Sequence, residues 1–166
     1  PPTAFAKIVI FVNVMKYSVI IPVYNRPAEV GELLESIAGQ PRPDVEIIIV
    51  EDGSQTTCEE VVARFQNRLN ITYLKKENGG PAAARNYGAQ QASGEWLIIL
   101  DSDVVLPPGY FEAVDSGTEN LGCDAFGGPD KAADSFTPVQ KAISYAMTSF
   151  FTTGGIRGGK KKMDKF

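Results

Sequence analysis

The sequence predicts an α/β fold, with a mostly parallel central sheet and helices on both faces in a Rossmann-like layout. Three observations lead there. Short β-branched runs alternate with stretches of helical periodicity, which is the rhythm of βαβ units. The runs are apolar almost throughout, as strands covered on both faces must be. Right-handed crossovers then restrict such units to a doubly wound order.

The first run is YSVIIP at 17–22, a strand closed by Pro22. Arg26 and Pro27 open a helix, because proline is favoured in a first turn, and Val30, Leu33, Leu34 and Ile37 share one face of it. VEIIIV at 45–50 is the second strand, and EDGS at 51–54 is a turn that can also cap the next helix. Cys58, Val61, Val62, Phe65 and Leu69 make the next apolar stripe. A third strand covers 71–74, NGGP at 78–81 breaks the chain, and an alanine-rich helix covers 82–92. The fourth strand is 96–100, and a short helix uses Phe111 and Val114. DAFGGPD at 124–130 reads as another strand and a loop. Over 138–151, Val139, Ala142, Ile143, Ala146, Met147, Phe150 and Phe151 form a helical stripe, read first as a core-packing face.

A chain of 166 residues suits one domain, and 43% hydrophobic with 22% charged residues is ordinary for a globular protein. The net charge of -4 argues against wholesale nucleic-acid binding, so no nucleic-acid partner is expected. With no histidine in the sequence, histidine bases, triads and metal ligands are excluded. Cys58 and Cys123 make no metal-binding or redox pair and read as buried or idle thiols, which fits a reducing, cytoplasmic setting. The apolar segment at 8–14 is too short to span a bilayer. Met15 and Lys16 look like a natural start, so 1–14 are expected to be an extension of cloning or unrelated origin ahead of a domain over 15–166.

In an open parallel sheet, ligands bind outside the carboxyl ends of the strands. Residues 22–25 leave strand one, 51–54 leave strand two, 77–81 leave strand three and 101–103 leave strand four, so all four polar clusters are expected on one edge. In extended chain Asp101 and Asp103 would point to the same side and could address one hard cation, Mn2+ or Mg2+, with substrate phosphates completing the shell. A lone Asp-Ser-Asp is equally a strand end followed by a solvated turn. Arg85 and Asn86 could be ordinary exposed helix residues, and Asn78 with its two glycines could be turn chemistry alone.

Taken in order, IIPVYNRP at 20–27, IIIVEDGS at 47–54, ENGGPAAARNYG at 77–88 and GEWLIILDSDVVLPPGY at 94–110 resemble family 2 glycosyltransferases of the GT-A fold. The resemblance is close over 16–113 and looser beyond. It implies a nucleotide-sugar donor, first of all a UDP-sugar, and inverting transfer to an acceptor hydroxyl in polysaccharide or glycoconjugate biosynthesis. Pro22, Val23, Tyr24 and Asn25 would line the nucleoside pocket, Asp52 would hydrogen-bond the base, and Gly80 would lie beside it. Arg85 would lie near the base or phosphates. Asp101 and Ser102 would approach the ribose, and Asp103, with Asp101, would bind the metal bridging the diphosphate. Glu51 stands where the family often has aspartate, which lengthens the arm and leaves its contact open.

The family's general base is a carboxylate well beyond the metal motif. No match for it is found, Asp130 and Asp134 being the nearest candidates, and the base is expected beyond Phe166. The sequence is accordingly expected to hold the donor part, about 16–113, and only the start of the acceptor part, about 114–166. The acceptor would be a saccharide or a lipid-linked molecule. The 138–151 helix and Lys160, Lys161 and Lys162 allow peripheral association with the inner face of a membrane, although such lysines are commonly a solvated tail. Two rivals are a nucleotide-binding module without catalysis and a haloacid-dehalogenase-type phosphatase with Asp101 as nucleophile and Asp103 as acid/base. The phosphatase motif belongs to a first strand, whereas three βα units precede this one.

Overall fold

The computed structural model describes residues 15–120, 122, 124–127 and 137–148. Its elements are β1 (Tyr17–Val23), α1 (Pro27–Ala38), β2 (Val45–Asp52), α2 (Glu59–Ala63), β3 (Ile71–Lys76), α3 (Pro81–Ala89), β4 (Trp96–Ile99), α4 (Tyr110–Asn120) and α5 (Pro138–Thr148). The chain divides into two compact units, residues 1–114 and 115–166, and β1 to β4 with α1 to α3 lie in the first.

The four strands form one parallel sheet in the order β3-β2-β1-β4. Every residue of β2 except Glu46, and every residue of β1 except Pro22, is buried, which is why neither strand alternates in sequence. One face carries Tyr17, Val19, Ile21, Val45, Ile47 and Ile49. They pack against Val30, Leu33, Leu34 and Ile37 of α1 and against Val62, Phe65 and Phe111. On the other face Ile48 and Val50 pack with Ala84 of α3, flanked by Leu74, Tyr87 and Ala92. The expected cover on both faces is present.

The small residues of α3 have a packing reason. A Cβ added at Gly88 would lie 2.7 Å from Ile20 Cγ2 and 3.1 Å from Val50 Cγ2, so the helix sits directly on the sheet. At the opposite edge from the strand carboxyl ends, Ser18 donates to Glu46 Oε1 at 2.5 Å and accepts from Gly94 N–H at 2.8 Å. This ties the entrance of β4 to β1 and β2.

The strand order reverses between β1 and β4: from β1 the chain builds outward through β2 and β3, then returns to β1's other side. The loops that follow β1 and β4 therefore leave the sheet side by side, outside the strand carboxyl ends at the point of reversal, which is where open α/β sheets place ligands.

Several expected elements differ in extent. β2 and β3 run two residues further, to Asp52 and Lys76, while β4 stops at Ile99. The helix expected from Cys58 to Leu69 is regular only over Glu59–Ala63, because Arg64, Phe65 and Arg68 donate to carbonyls three residues back and wind the segment more tightly. Phe65 is nonetheless buried and Leu69 packs against the core. Asp124 to Gly127 form no strand, the rest of 124–130 lying outside the described residues. The 138–151 stripe is helical over Pro138–Thr148, but Val139 and Ile143 are exposed rather than packed in a core.

The Gly88 contact yields a test. Gly88→Ala, although favourable for helix propensity, is expected to destabilise the protein by about 1–3 kcal/mol through overpacking. A lower midpoint of urea denaturation at unchanged slope would register this.

Candidate functional site

The site is built from the ends of β1 to β4. Asp52, the last residue of β2, is only 4% exposed, so its charge needs compensation. Lys76 at the end of β3 donates to Asp52 Oδ1 at 2.5 Å. Gly79 N–H donates to the same oxygen at 2.9 Å, and Gly80 N–H to Oδ2 at 2.8 Å. Asn78 Nδ2 donates to the Asp52 carbonyl at 2.9 Å. Burial works against the charge, but the Lys76 bond and the two glycine amides outweigh it and hold the carboxyl below its ordinary range. The contact also explains Gly53. Its φ is 72°, and a Cβ there would stand 2.6 Å from Asn78 N, so no other residue lets the loops meet so closely.

Glu51 lies beneath this loop and is 1% exposed. It accepts from Cys58 N–H at 2.9 Å, Cys58 Sγ at 3.0 Å, Tyr73 OH at 2.6 Å and Ser54 Oγ. Burial opposes its charge, yet these four donors prevail and lower its pKa. The same burial, with Glu51 alongside, pushes the Cys58 thiol up to about 12 and the Tyr73 hydroxyl up as well. Cys58 is therefore a protonated donor, matching the expectation of a buried, idle thiol; Cys123 lies outside the described residues. The longer arm of glutamate is used inward, to anchor the loop from Gly53 to Cys58.

Asn25 joins this loop to β1. It has a φ of 55°, a left-handed conformation that asparagine tolerates better than most residues. Its N–H donates to Ser54 Oγ at 2.8 Å, and its Oδ1 accepts from Gln55 N at 2.8 Å and Thr56 N at 3.0 Å. Pro22 is partly buried, Val23 is buried in the core, and Tyr24 stands 51% exposed.

Beyond β4, Asp101 and Asp103 are exposed and Ser102 is buried between them. The extended chain expected here is instead a turn at Ser102 and Asp103, because β4 pairing ends at Ile99 and a last bond joins Leu100 N–H to the Ile20 carbonyl. Both carboxylates still face outward. They meet different partners: Arg85 Nη2 of α3 donates to Asp101 Oδ1 at 2.6 Å, and Arg26 Nη1 donates to Asp103 Oδ2 at 2.6 Å. Since α1 and α3 cover opposite faces, the pair is flanked by a cation from each side of the sheet. Arg85 Nε is buried and has no acceptor among the described residues. Such a donor costs about 1–3 kcal/mol, and an anionic oxygen would satisfy it.

All four polar clusters thus share one edge, and hydrogen bonds knit them together. Gly80 is among them through its amide, with a φ of 85° just ahead of α3. Asp130, Asp134 and Phe166 lie outside the described residues, so neither the two candidate bases nor the expected base beyond Phe166 can be set against this geometry. Sequence reasoning missed Lys76 and Arg26. Lys76 had no local signal, its partner being 24 positions away. Arg26 did have one: it caps α1 without a side-chain hydrogen bond, in a place where Ser, Thr, Asp or Asn is favoured. Among the described residues no group of three or more metal-ligating side chains is gathered, so a cation here would need ligands from elsewhere, as two carboxylates and a diphosphate provide.

The sequence model of Glycosyl transferase family 2 matches residues 18–163. The chain belongs to this family. A family relative, the poly(ribitol-phosphate) beta-N-acetylglucosaminyltransferase TarS of Staphylococcus aureus, is 39% identical over 93 residues, covering 54% of this chain and 16% of TarS. The chain therefore spans only a small part of that relative. Among solved structures, S. aureus TarS 1-349 in complex with UDP-GlcNAc superposes with a TM-score of 0.60 at 32% identity, over 70% of this chain and 37% of that one. The mannosyltransferase PcManGT from Pyrobaculum calidifontis, in complex with GDP-Man and Mn2+, has a TM-score of 0.60 at 26% identity, over 70% and 36%. The expected GT-A glycosyltransferase fold is thereby established. The haloacid-dehalogenase reading of Asp101 and Asp103 is set aside, in keeping with the three βα units that precede them.

The buried carboxylates make stability depend on pH. Glu51 and Asp52 have lowered pKa values in the fold, so their contribution is complete above their unfolded values of about 4 and is lost as pH falls through the folded ones. Glu51→Gln should cost about 1–3 kcal/mol at pH 7 by weakening charge-assisted bonds. Urea midpoints at pH 7, 5, 4 and 3 should fall more steeply below pH 4 in the wild type than in this variant.

Proposed function

We propose that this chain carries the donor-binding part of a glycosyltransferase that moves a sugar from a nucleotide-diphospho-sugar to an acceptor hydroxyl with inversion, in polysaccharide or glycoconjugate biosynthesis. The observation that carries the proposal is the placement of Asp101 and Asp103 at the reversal of strand order, with Arg85 and Arg26 on either side. A diphosphate needs compensating cations and a fixed orientation, and this edge offers both.

In this reading the nucleoside lies over the end of β1, against Pro22, Val23, Tyr24 and Asn25. Asp52 has three of its roughly four acceptor positions filled, so it can take one further bond from a base N–H. That single acceptor suits the imide edge of uracil, and a UDP-sugar is the preferred donor; TarS, with UDP-GlcNAc bound, supports the choice. Gly80 holds the loop beside the base. Ser102 sets the turn that presents Asp101 to the ribose, and Arg85 turns its unpaired Nε toward phosphate oxygen.

The donor set fits a hard divalent ion, Mn2+ or Mg2+, held by Asp103 and Asp101 together with diphosphate oxygens; PcManGT with Mn2+ supports this. When bound, such an ion neutralises charge on the departing nucleoside diphosphate. The acceptor is a saccharide or lipid-linked hydroxyl. The base that deprotonates it is a carboxylate, for which Asp130 and Asp134, outside the described residues, are the candidates.

The decisive experiment is thermal unfolding with UDP, with and without Mn2+. At a UDP concentration 100 times Kd the expected stabilisation is about 2.7 kcal/mol, several degrees in Tm, and only with metal present. Asp103→Asn should abolish the shift. Equal stabilisation by UDP without metal in Asp103→Asn would overturn the metal assignment.

A further inference from the structure

We propose that Arg26 couples metal binding to nucleotide binding: its guanidinium holds Asp103 against a divalent cation until a diphosphate draws the arginine away. The inference rests on the donor-site reading above and adds a residue outside the matched nucleotide and metal positions.

Arg26 is a poor residue for its place in the fold. It caps α1 with no side-chain hydrogen bond, although an oxygen-bearing side chain there would accept from the first free amides. Its charge sits at the positive end of the helix dipole, where a cation is unfavourable. It also follows Asn25, whose left-handed backbone is fixed by Ser54, Gln55 and Thr56. Local rules broken together point to a functional constraint. The visible return is one contact, Nη1 to Asp103 Oδ2 at 2.6 Å, across 77 positions of sequence.

That contact is of the exchangeable kind. Arg26 is 46% and Asp103 52% exposed, so water screens the pair and neither partner is trapped. A divalent ion approaching Asp103 alone finds Oδ2 taken by the guanidinium and meets its repulsion. A diphosphate gives the guanidinium a bidentate partner of higher charge, which arginine geometry favours. Release of Asp103 and arrival of the phosphate ligands then coincide, so metal and nucleotide bind cooperatively.

The test measures Mn2+ affinity by electron paramagnetic resonance of the free ion, with and without UDP, in the wild type, Arg26→Met and Arg26→Lys. The wild type should bind Mn2+ weakly alone and much more tightly with UDP. Arg26→Met should bind Mn2+ alone about tenfold more tightly, and the enhancement by UDP should shrink by a similar factor. Arg26→Lys, which keeps the charge, should retain most of the enhancement. Arg68→Met, which removes a cation from the distant surface pair with Glu35, should behave as wild type. An unchanged enhancement in Arg26→Met, or weaker binding of Mn2+ alone, would overturn the coupling while leaving the donor-site reading intact. If UDP fails to enhance Mn2+ binding in the wild type, both fall.

Discussion

The carboxylate of Asp52 is the contact on which the edge depends. A charge that is almost wholly buried at the end of a central strand must be surrounded by donors, and the donors available are the amides of Gly79 and Gly80 and the ammonium of Lys76. Satisfying it therefore pins the loop after β3 to the end of β2. Pro81 begins α3 directly after that loop, and α3 carries Arg85 to Asp101. A single buried charge thus sets the direction of a helix and the position of a cation 33 residues along the chain.

Four carboxylates of the edge, Glu51, Asp52, Asp101 and Asp103, fall into two kinds, and the magnitudes separate them. Glu51 and Asp52 are buried and multiply bonded: removing Lys76 from Asp52 breaks a buried ion pair at a cost of roughly 3–5 kcal/mol, and weakening the neutral donors around Glu51 costs about 1–3 kcal/mol. Asp101 and Asp103 are exposed and each meets one arginine, an arrangement worth about 0–1 kcal/mol. The first kind builds the frame. The second can exchange partners at little cost, as ligand-binding groups must. Asn25 and Ser54 connect the two kinds, since Ser54 bonds both Glu51 and the backbone of the residue before Arg26.

Much of this is legible in the sequence, for definite reasons. Apolar runs such as VEIIIV announce strands covered on both faces, and parallel strands must gather their following loops on one edge, so the juxtaposition of Asn25, Asp52, Gly80 and Asp101 follows from periodicity alone. The features that sequence hides depend on long-range partners or on local winding. Glu51 reads as a lengthened ligand because Cys58 and Tyr73, which claim its carboxylate, lie 7 and 22 residues away. The Asp-Ser-Asp turn reads as extended because β4 could have continued, and only the pairing with β1 shows that it stops. The stripe on α5 has the period of a core face, but periodicity does not say whether a partner surface is present, and Val139 and Ile143 stand exposed.

A crystal structure with UDP and Mn2+ bound is the most direct test of the donor site. The diphosphate is expected in the crevice between β1 and β4, with Mn2+ in contact with Asp103, the uracil over Asn25 and Asp52, and Arg26 turned from Asp103 to phosphate oxygen. Nucleotide seated elsewhere, for example in the groove between α1 and α2 beside Gly31 and Val61, with Asp103 still bound to Arg26, would contradict it.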